Sequence, residues 1–250
     1  MITARVSVKG QNFYGTVEDG KIRRIKGLPY GVIEYAGEEY SLGEVKILAP
    51  CEPTKIVAVG LNYAKHAGEM KETLTGNPVL FIKPSTAVIA HGDDIVCPPQ
   101  SSRVDYEAEI GVVIGKRCKD VPEEEAADYI FGYTALNDVT ARDIQKADGQ
   151  WTRAKSFDTF CPIGPFIDTG FCPDGKRIRS VLNTQTKQDA NTKDMLFKIP
   201  KLVSFISACM TLLPGDVIAT GTPEGVGPMR AGDTVEIMID GLPTLRNFVK

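Results

Sequence analysis

The chain has 250 residues, 42% of them hydrophobic and 24% charged, with a formal net charge of −3. That length holds one large domain, or a main domain with a small appendage, at a composition ordinary for a soluble globular protein. The slight acidity excludes a global pull toward nucleic acid or an anionic membrane, and no run approaches the ~18 apolar residues of a spanning helix.

The opening stretch MITARVSVKG lacks the apolar core of a signal peptide, so a cytoplasmic protein without membrane or nucleic-acid partners is expected. Residues 1–52 read as a small β-rich N-terminal domain. RVSVKG, NFYGTVEDGKIRRI and GVIEYAGEEYSL alternate apolar and polar residues, with turns predicted at Asp19-Gly20 and Gly37. Residues 53–250 read as the main domain, opening with an apolar strand from Ile56 to Val59 that Gly60 ends. Further strands are predicted at 79–84, within 104–115, and at 129–138, 162–167, 216–222 and 233–240. Helices are fewer. One is predicted over 138–148, and a second from Pro200 to Thr211, with Leu202, Val203, Phe205, Ile206 and Cys209 at helical spacing behind a proline start. The sum is a strand-heavy α+β architecture whose long connections carry function.

Six scattered cysteines with no CxxC pair suit reduced thiols. Only two histidines are present, His66 and His91, which excludes a metal site built from three or four imidazoles. Any bound metal must be held by carboxylates, which points to a hard ion such as Mg²⁺, Mn²⁺ or Ca²⁺.

Four segments carry candidate chemistry. In VDYEAEIGVVIG, Glu107 and Glu109 lie two apart on an apolar strand and so share a face, where their repulsion calls for a partner. Asp138, at the end of the run 129–138, would complete an oxygen-ligand site if it converged on them; the alternative is an exposed acidic face. In DVTARDIQKADG, Asp138, Arg142 and Gln145 fall at i, i+4 and i+7, one face of a helix, which reads either as a binding face or as a solvated salt-bridged one. GLNYAKHAGEM offers Asn62 as a helix cap and His66 and Glu69 at i, i+3, either a carboxylate-oriented general base or a surface pair. His91 reads as surface or structural. WTRAKSFD partly encloses Lys155, and the glycine-rich ATGTPEGVG either binds a carboxylate through its amides or is a tight connection without phosphate-loop character.

Taken in order, GLNYAKHAGEM, VLFIKPSTAV, DYEAEIGVVIG, GYTALNDVTARDIQ, WTRAKSFDTFCPIGPFI, LLPGDVIATGTPEGVG and GDTVEIMIDG resemble the fumarylacetoacetate hydrolase family. The match is closest to its short single-domain branch and runs from about residue 54 to the C-terminus. The resemblance implies a mixed β-roll, a homodimer and a divalent cation, usually Mg²⁺ or Mn²⁺, on Glu107, Glu109 and Asp138. Asp105 is left as an unassigned fourth acid. It further implies that His66 and Glu69 activate water beneath a lid, that Lys155 is the active-site lysine, and that Arg142, Gln145 and Thr222 contact a 2-oxo acid. Lid residues such as Met70–Leu74 would shape specificity. The chemistry it implies is C–C hydrolysis of an acylpyruvate or fumarylpyruvate-like acid to pyruvate and a carboxylate. Oxaloacetate decarboxylation or tautomerisation, isomerisation of a hydroxy-diene-dioate, and a non-catalytic 2-oxo acid binder are the alternatives.

Overall fold

Residues 1–70 and 76–250 are described by a computed structural model, in which side chains are described up to Glu69 and again from Gly76. The first strands are β1 (Ile2–Val8), β2 (Gln11–Glu18), β3 (Lys21–Ile25) and β4 (Tyr35–Ser41). They form an antiparallel meander. Asp19 and Gly20 both take positive φ (48° and 74°), the backbone a two-residue hairpin needs to match strand twist, so the predicted turn forms. Gly37 does not make a turn. It sits inside β4 at φ 103°, close to the slip in register between Arg23 and Ile25, and serves as an irregularity in the edge strand.

The main domain contributes β5 (Lys55–Gly60), α1 (Ala64–Met70), β6 (Val79–Pro84), β7 (Val104–Tyr106), β8 (Ala108–Ile114), β9 (Ile130–Asn137), α2 (Arg142–Asp148), α3 (Thr152–Lys155) and β10 (Cys161–Asp168). After these come β11 (Arg177–Leu182), β12 (Gln185–Asn191), α4 (Ile199–Cys209), β13 (Val217–Ala219), β14 (Gly227–Met229), β15 (Thr234–Ile239) and β16 (Leu245–Val249). One large sheet runs β4-β3-β2-β1-β10-β9-β8-β13-β5-β6. It is mixed, because β13 and β5 pair in parallel. The meander therefore joins the main sheet through β1 and β10. A second sheet runs β12-β11-β15-β16, and a small third one sets β7 between Thr140–Ala141 and β14.

The core lies between these sheets and α4. Ile110, Val112 and Ile114 on β8 pack with Ile178, Ile237 and the buried Leu202, Val203 and Ile206 of α4. Pro200 stands in the first turn of α4, as expected, but the helix ends at Cys209, and that cysteine is exposed rather than part of the apolar stripe. All six cysteines are free thiols. Among the described residues no helix is long and apolar enough to cross a membrane.

Two sequence expectations change around the site. The run 104–115 is not one strand. It breaks at Glu107, with β7 in the small sheet and β8 in the large one. The helix predicted over 138–148 starts only at Arg142, because Asp138 and Val139 are not helical and Thr140–Ala141 is strand, pairing with β7. Asp138 therefore is not on that helix face.

Candidate metal centre and active-site pocket

The break at Glu107 would leave backbone groups unpaired in the interior, and buried amides need partners. Side chains supply them: the Glu107 amide donates to Asn137 Oδ1 (2.9 Å) and the Ala108 amide to Gln188 Oε1 (2.9 Å). The Asp138 amide donates to the Glu107 carbonyl (3.0 Å) and so draws the two segments together. Glu107, Glu109 and Asp138 are all buried, and one ligand oxygen from each lies within 4.8 Å of the others. The same-face reading of the two glutamates thus fails as strand geometry, yet the convergence it predicted is present.

Cations crowd two of these acids. Lys155 donates to Glu107 Oε2 (2.8 Å) and Asp138 Oδ2 (2.6 Å). Lys83 donates to Asp138 Oδ1 (2.5 Å) and to the Val139 carbonyl (3.1 Å). Arg142 bonds Glu107 Oε1, Asp105 (2.9 Å) and Gln145 Oε1 (2.6 Å). Burial opposes ionisation of Glu107, but Lys155 and Arg142 outweigh it and hold the carboxyl well below the usual range. Burial lowers the Lys155 ammonium, and Asp138 with Glu107 more than restore it, so that it stays charged.

Glu109 is different. Among the described residues its one protein donor is the Gly221 amide (2.8 Å), and no lysine, arginine or histidine forms an ion pair with it. Burial and the charges of Asp138 and Glu107 push its carboxyl well above the usual range. A buried acidic trio in which one member lacks a counter-charge fits a hard divalent cation. Glu107, Glu109 and Asp138 are the residues that would hold it.

The acids open on a cavity of about 240 Å³. Its polar lining includes His66, Arg142, Gln145, Lys155 and Thr222, so these expected site residues are brought together. Phe81 and Trp151 form an apolar wall, edge to face with centroids 5.4 Å apart, and the Lys155 ammonium stands 4.9 Å from the Phe81 ring centre. Glu69 does not line the cavity. It stands behind His66, whose Nδ1 is 3.2 Å from Glu69 Oε2, and it also accepts from the Gly225 amide (3.2 Å). The glycine-rich loop therefore does bind carboxylates, those of Glu109 and Glu69. Thr222 is held there by Gln188, which donates to its hydroxyl (2.8 Å).

One other assignment is revised and two left open are narrowed. Asn62 is not a helix cap; it fastens two loops, donating to Thr220 and Phe197 carbonyls and accepting from the Phe197 amide. Asp105 stays outside the trio and pairs with Arg103 and Arg142. His91 is structural, accepting from the Arg246 amide (3.1 Å). The expectation that Met70–Leu74 shapes a lid lies outside the described residues, apart from the Met70 backbone. Lys83, Phe81, Trp151 and Gln188 were not singled out from sequence. For Lys83 a signal existed: one lysine in the apolar strand VLFIKP, two residues from Phe81 and thus on the same face.

Residues 55–250 match the fumarylacetoacetate hydrolase C-terminal family, and residues 1–50 match the Rv2993c-like N-terminal family. The chain belongs to the fumarylacetoacetate hydrolase family. A 5-carboxymethyl-2-hydroxymuconate delta-isomerase from Mycobacterium smegmatis is 44% identical, superposes with a TM-score of 0.94, and is covered over 99% of its length by all of this chain. The maleylpyruvate hydrolase of Sphingobium sp. SYK-6, solved with manganese(II) and pyruvate, is 31% identical with a TM-score of 0.81, covering 100% of this chain and 98% of its own. Human mitochondrial oxaloacetate tautomerase FAHD1 is 43% identical over 196 residues, 76% of this chain and 89% of its own. Family members thus include hydrolases, isomerases and tautomerases, and this chain is an enzyme of that family with the mixed-sheet fold expected.

Proposed function

We propose that the chain is a divalent-metal-dependent hydrolase that cleaves the C–C bond of a 2,4-dioxo acid, of acylpyruvate or fumarylpyruvate type, to pyruvate and a carboxylate. The observation that carries this reading is His66, which lines the same cavity as the acidic trio and is backed by Glu69 from outside it. Isomerisation and tautomerisation need a base only to move a proton on the substrate, whereas hydrolysis needs one oriented to deprotonate a water. His66 is 5% exposed, and with Nδ1 turned to Glu69 its Nε2 is the nitrogen left for a water proton.

A divalent cation, Mg²⁺ or Mn²⁺, held by Glu107, Glu109 and Asp138 would supply Lewis-acid polarisation of the substrate's carboxylate and neighbouring keto oxygen. His66 takes a proton from water as the hydroxide adds to the distal carbonyl, and Glu69 stabilises the imidazolium. Lys155, fixed and charged, faces the negative charge that develops as the bond between the carbonyl carbon and the adjacent methylene breaks. The methylene carbon then takes a proton, giving pyruvate. Arg142, Gln145 and Thr222 orient the 2-oxo acid. Phe81 and Trp151 give the distal group an apolar surface.

The test is pyruvate release from acetylpyruvate, fumarylpyruvate and oxaloacetate, with Mg²⁺ and again with chelator, for the wild type and Glu69→Gln. Metal-dependent release with the matching acid, lost in Glu69→Gln while Mn²⁺ binding persists, supports hydrolysis. Release from oxaloacetate alone moves the reading to decarboxylation. Solvent deuterium entering the substrate without release moves it to tautomerisation or isomerisation.

A further inference from the structure

Lys83 is 0% exposed, whereas its neighbour Ile82 is 42% exposed. The strand buries the cation and shows the isoleucine to solvent, the reverse of what transfer energies favour. Desolvating an ammonium is costly, so its retention needs a reason beyond packing. Lys83 is not part of the cavity lining. Asp138 lies between it and the cavity, bonded on one oxygen by Lys83 and on the other by Lys155. A substrate therefore cannot touch Lys83, and any influence of this residue on a ligand must travel as charge or through Asp138.

The buried charges decide which matters. Asp105, Glu107, Glu109 and Asp138 face Lys83, Lys155 and Arg142, four carboxylates against three cations. Arg103, partner of Asp105, has a half-exposed side chain and is screened by solvent. His66, on the cavity wall, forms its own pair with Glu69 behind it. A divalent ion on the trio turns the excess of one negative charge into an excess of one positive. Without Lys83 the same site would be neutral when loaded and would exert no net pull on an anion.

We infer that Lys83 is a buried counter-charge that makes the metal-loaded centre net positive and so retains an anionic 2-oxo acid it never touches. The inference rests on the metal reading of the trio. It makes Lys83 a positioning residue of an electrostatic kind, with a signature a merely structural lysine lacks. Removing its charge weakens anion binding while leaving cation binding equal or stronger.

The experiment is calorimetric titration of Mn²⁺ into the wild type and Lys83→Met, followed by titration of pyruvate into each Mn²⁺-loaded protein. Coulomb's law with an effective dielectric of ~20 over ~8 Å gives a loss of pyruvate affinity of about tenfold or more. Mn²⁺ affinity is expected to hold or rise, and Lys83→Arg, which keeps the charge, is expected to bind pyruvate better than Lys83→Met. A parallel fall in Mn²⁺ and pyruvate affinity would overturn the inference, because Lys83 would then only hold Asp138 in place. Unchanged pyruvate affinity would overturn it as well. Should Lys83→Met not fold, Lys83→Gln, neutral but still able to donate to Asp138, is expected to give the same opposed changes, and their absence there counts equally against it. Failure of the wild type to bind Mn²⁺ at all would instead remove the metal reading itself, a result distinct from any of these.

Discussion

Replacing Glu109 with glutamine is expected to stabilise the metal-free protein while abolishing its response to metal. Glu109 is 1% exposed, carries no ion pair among the described residues, and faces the charges of Glu107 and Asp138. Glutamine is nearly isosteric, keeps an oxygen for the Gly221 amide, and presents an NH₂ group to the two carboxylates. Relief of an uncompensated buried charge is worth about 1–3 kcal/mol, and at about 2–4 °C per kcal/mol for a chain of this size the midpoint in chelator should rise by roughly 2–12 °C. The pH dependence has a definite sign. The folded carboxyl binds its proton more tightly than the unfolded one, so wild-type stability in chelator falls as pH rises from the ordinary glutamate value (~4.3) toward the raised folded value. Glu109→Gln removes that slope. With Mn²⁺ at about a hundred times its dissociation constant the wild type gains about 2.7 kcal/mol, whereas the variant gains little. Thermal unfolding at pH 5 and pH 8, in chelator and in Mn²⁺, measures all of this. A variant less stable than wild type in chelator, or one still stabilised by Mn²⁺ to the wild-type degree, would refute the account of Glu109 as the uncompensated ligand.

Asp216 is buried and accepts from Thr54, Lys55 and the Leu213 amide, tying the start of β13 to β5. Asp216→Asn should lower stability by about 1–3 kcal/mol, because Lys55, partly open to solvent, loses its carboxylate partner. Burial raises the Asp216 carboxyl, but Lys55 and Thr54 pull it below its ordinary value, so its contribution is present above the unfolded pKa (~3.9) and lost as pH falls through the lowered folded value; the gap between the two proteins in denaturant melts should narrow from pH 7 to pH 3. Gly60→Ala would place a methyl group 2.4 Å from the Trp151 ring; because Trp151 is the sole tryptophan, a shifted emission maximum and raised KM are expected, and unchanged emission would show that the backbone at residue 60 shifts instead of the ring. Arg142→Lys cannot serve Asp105, Glu107 and Gln145 together; turnover should fall about a hundredfold in steady-state assays of pyruvate release.

What was legible in the sequence was chiefly local. The acids at 107, 109 and 138 and the pair at 66 and 69 stand in short motifs whose order carries the family, and their convergence follows. The break at Glu107 was not legible, since Val104–Ile114 reads as one apolar run and only Asn137 and Gln188, 30 and 80 residues away, satisfy the amides that the break exposes. The late start of α2 has the same origin: Thr140–Ala141 is claimed by pairing with β7, and tertiary pairing overrides helical spacing. Gly37 reads as a turn residue by composition, but in β4 its freedom at positive φ accommodates an irregular edge strand. Lys83 escaped attention because a lone lysine in a strand ordinarily marks the solvent face.

The broken strand is what reconciles a dense charge cluster with a stable interior. Had 104–115 continued as one strand, Asp105, Glu107 and Glu109 would have shared a face with no room between them for cations. Turning the chain at Glu107 sends Asp105 into the small sheet, where the buried Arg142 pairs with it and the half-exposed Arg103 adds a solvent-screened contact, and leaves Glu107 at the junction within reach of both Arg142 and Lys155. Arg142 then braces Glu107 and Asp105 at once, while the two lysines take opposite oxygens of Asp138. The only acid of the trio left to be compensated by something other than protein is Glu109, among the described residues. A site arranged in this way is a poor place for a solvated salt bridge and a good one for an exchangeable cation: the fold neutralises every charge it needs for its own stability and leaves one buried carboxylate to draw the metal in.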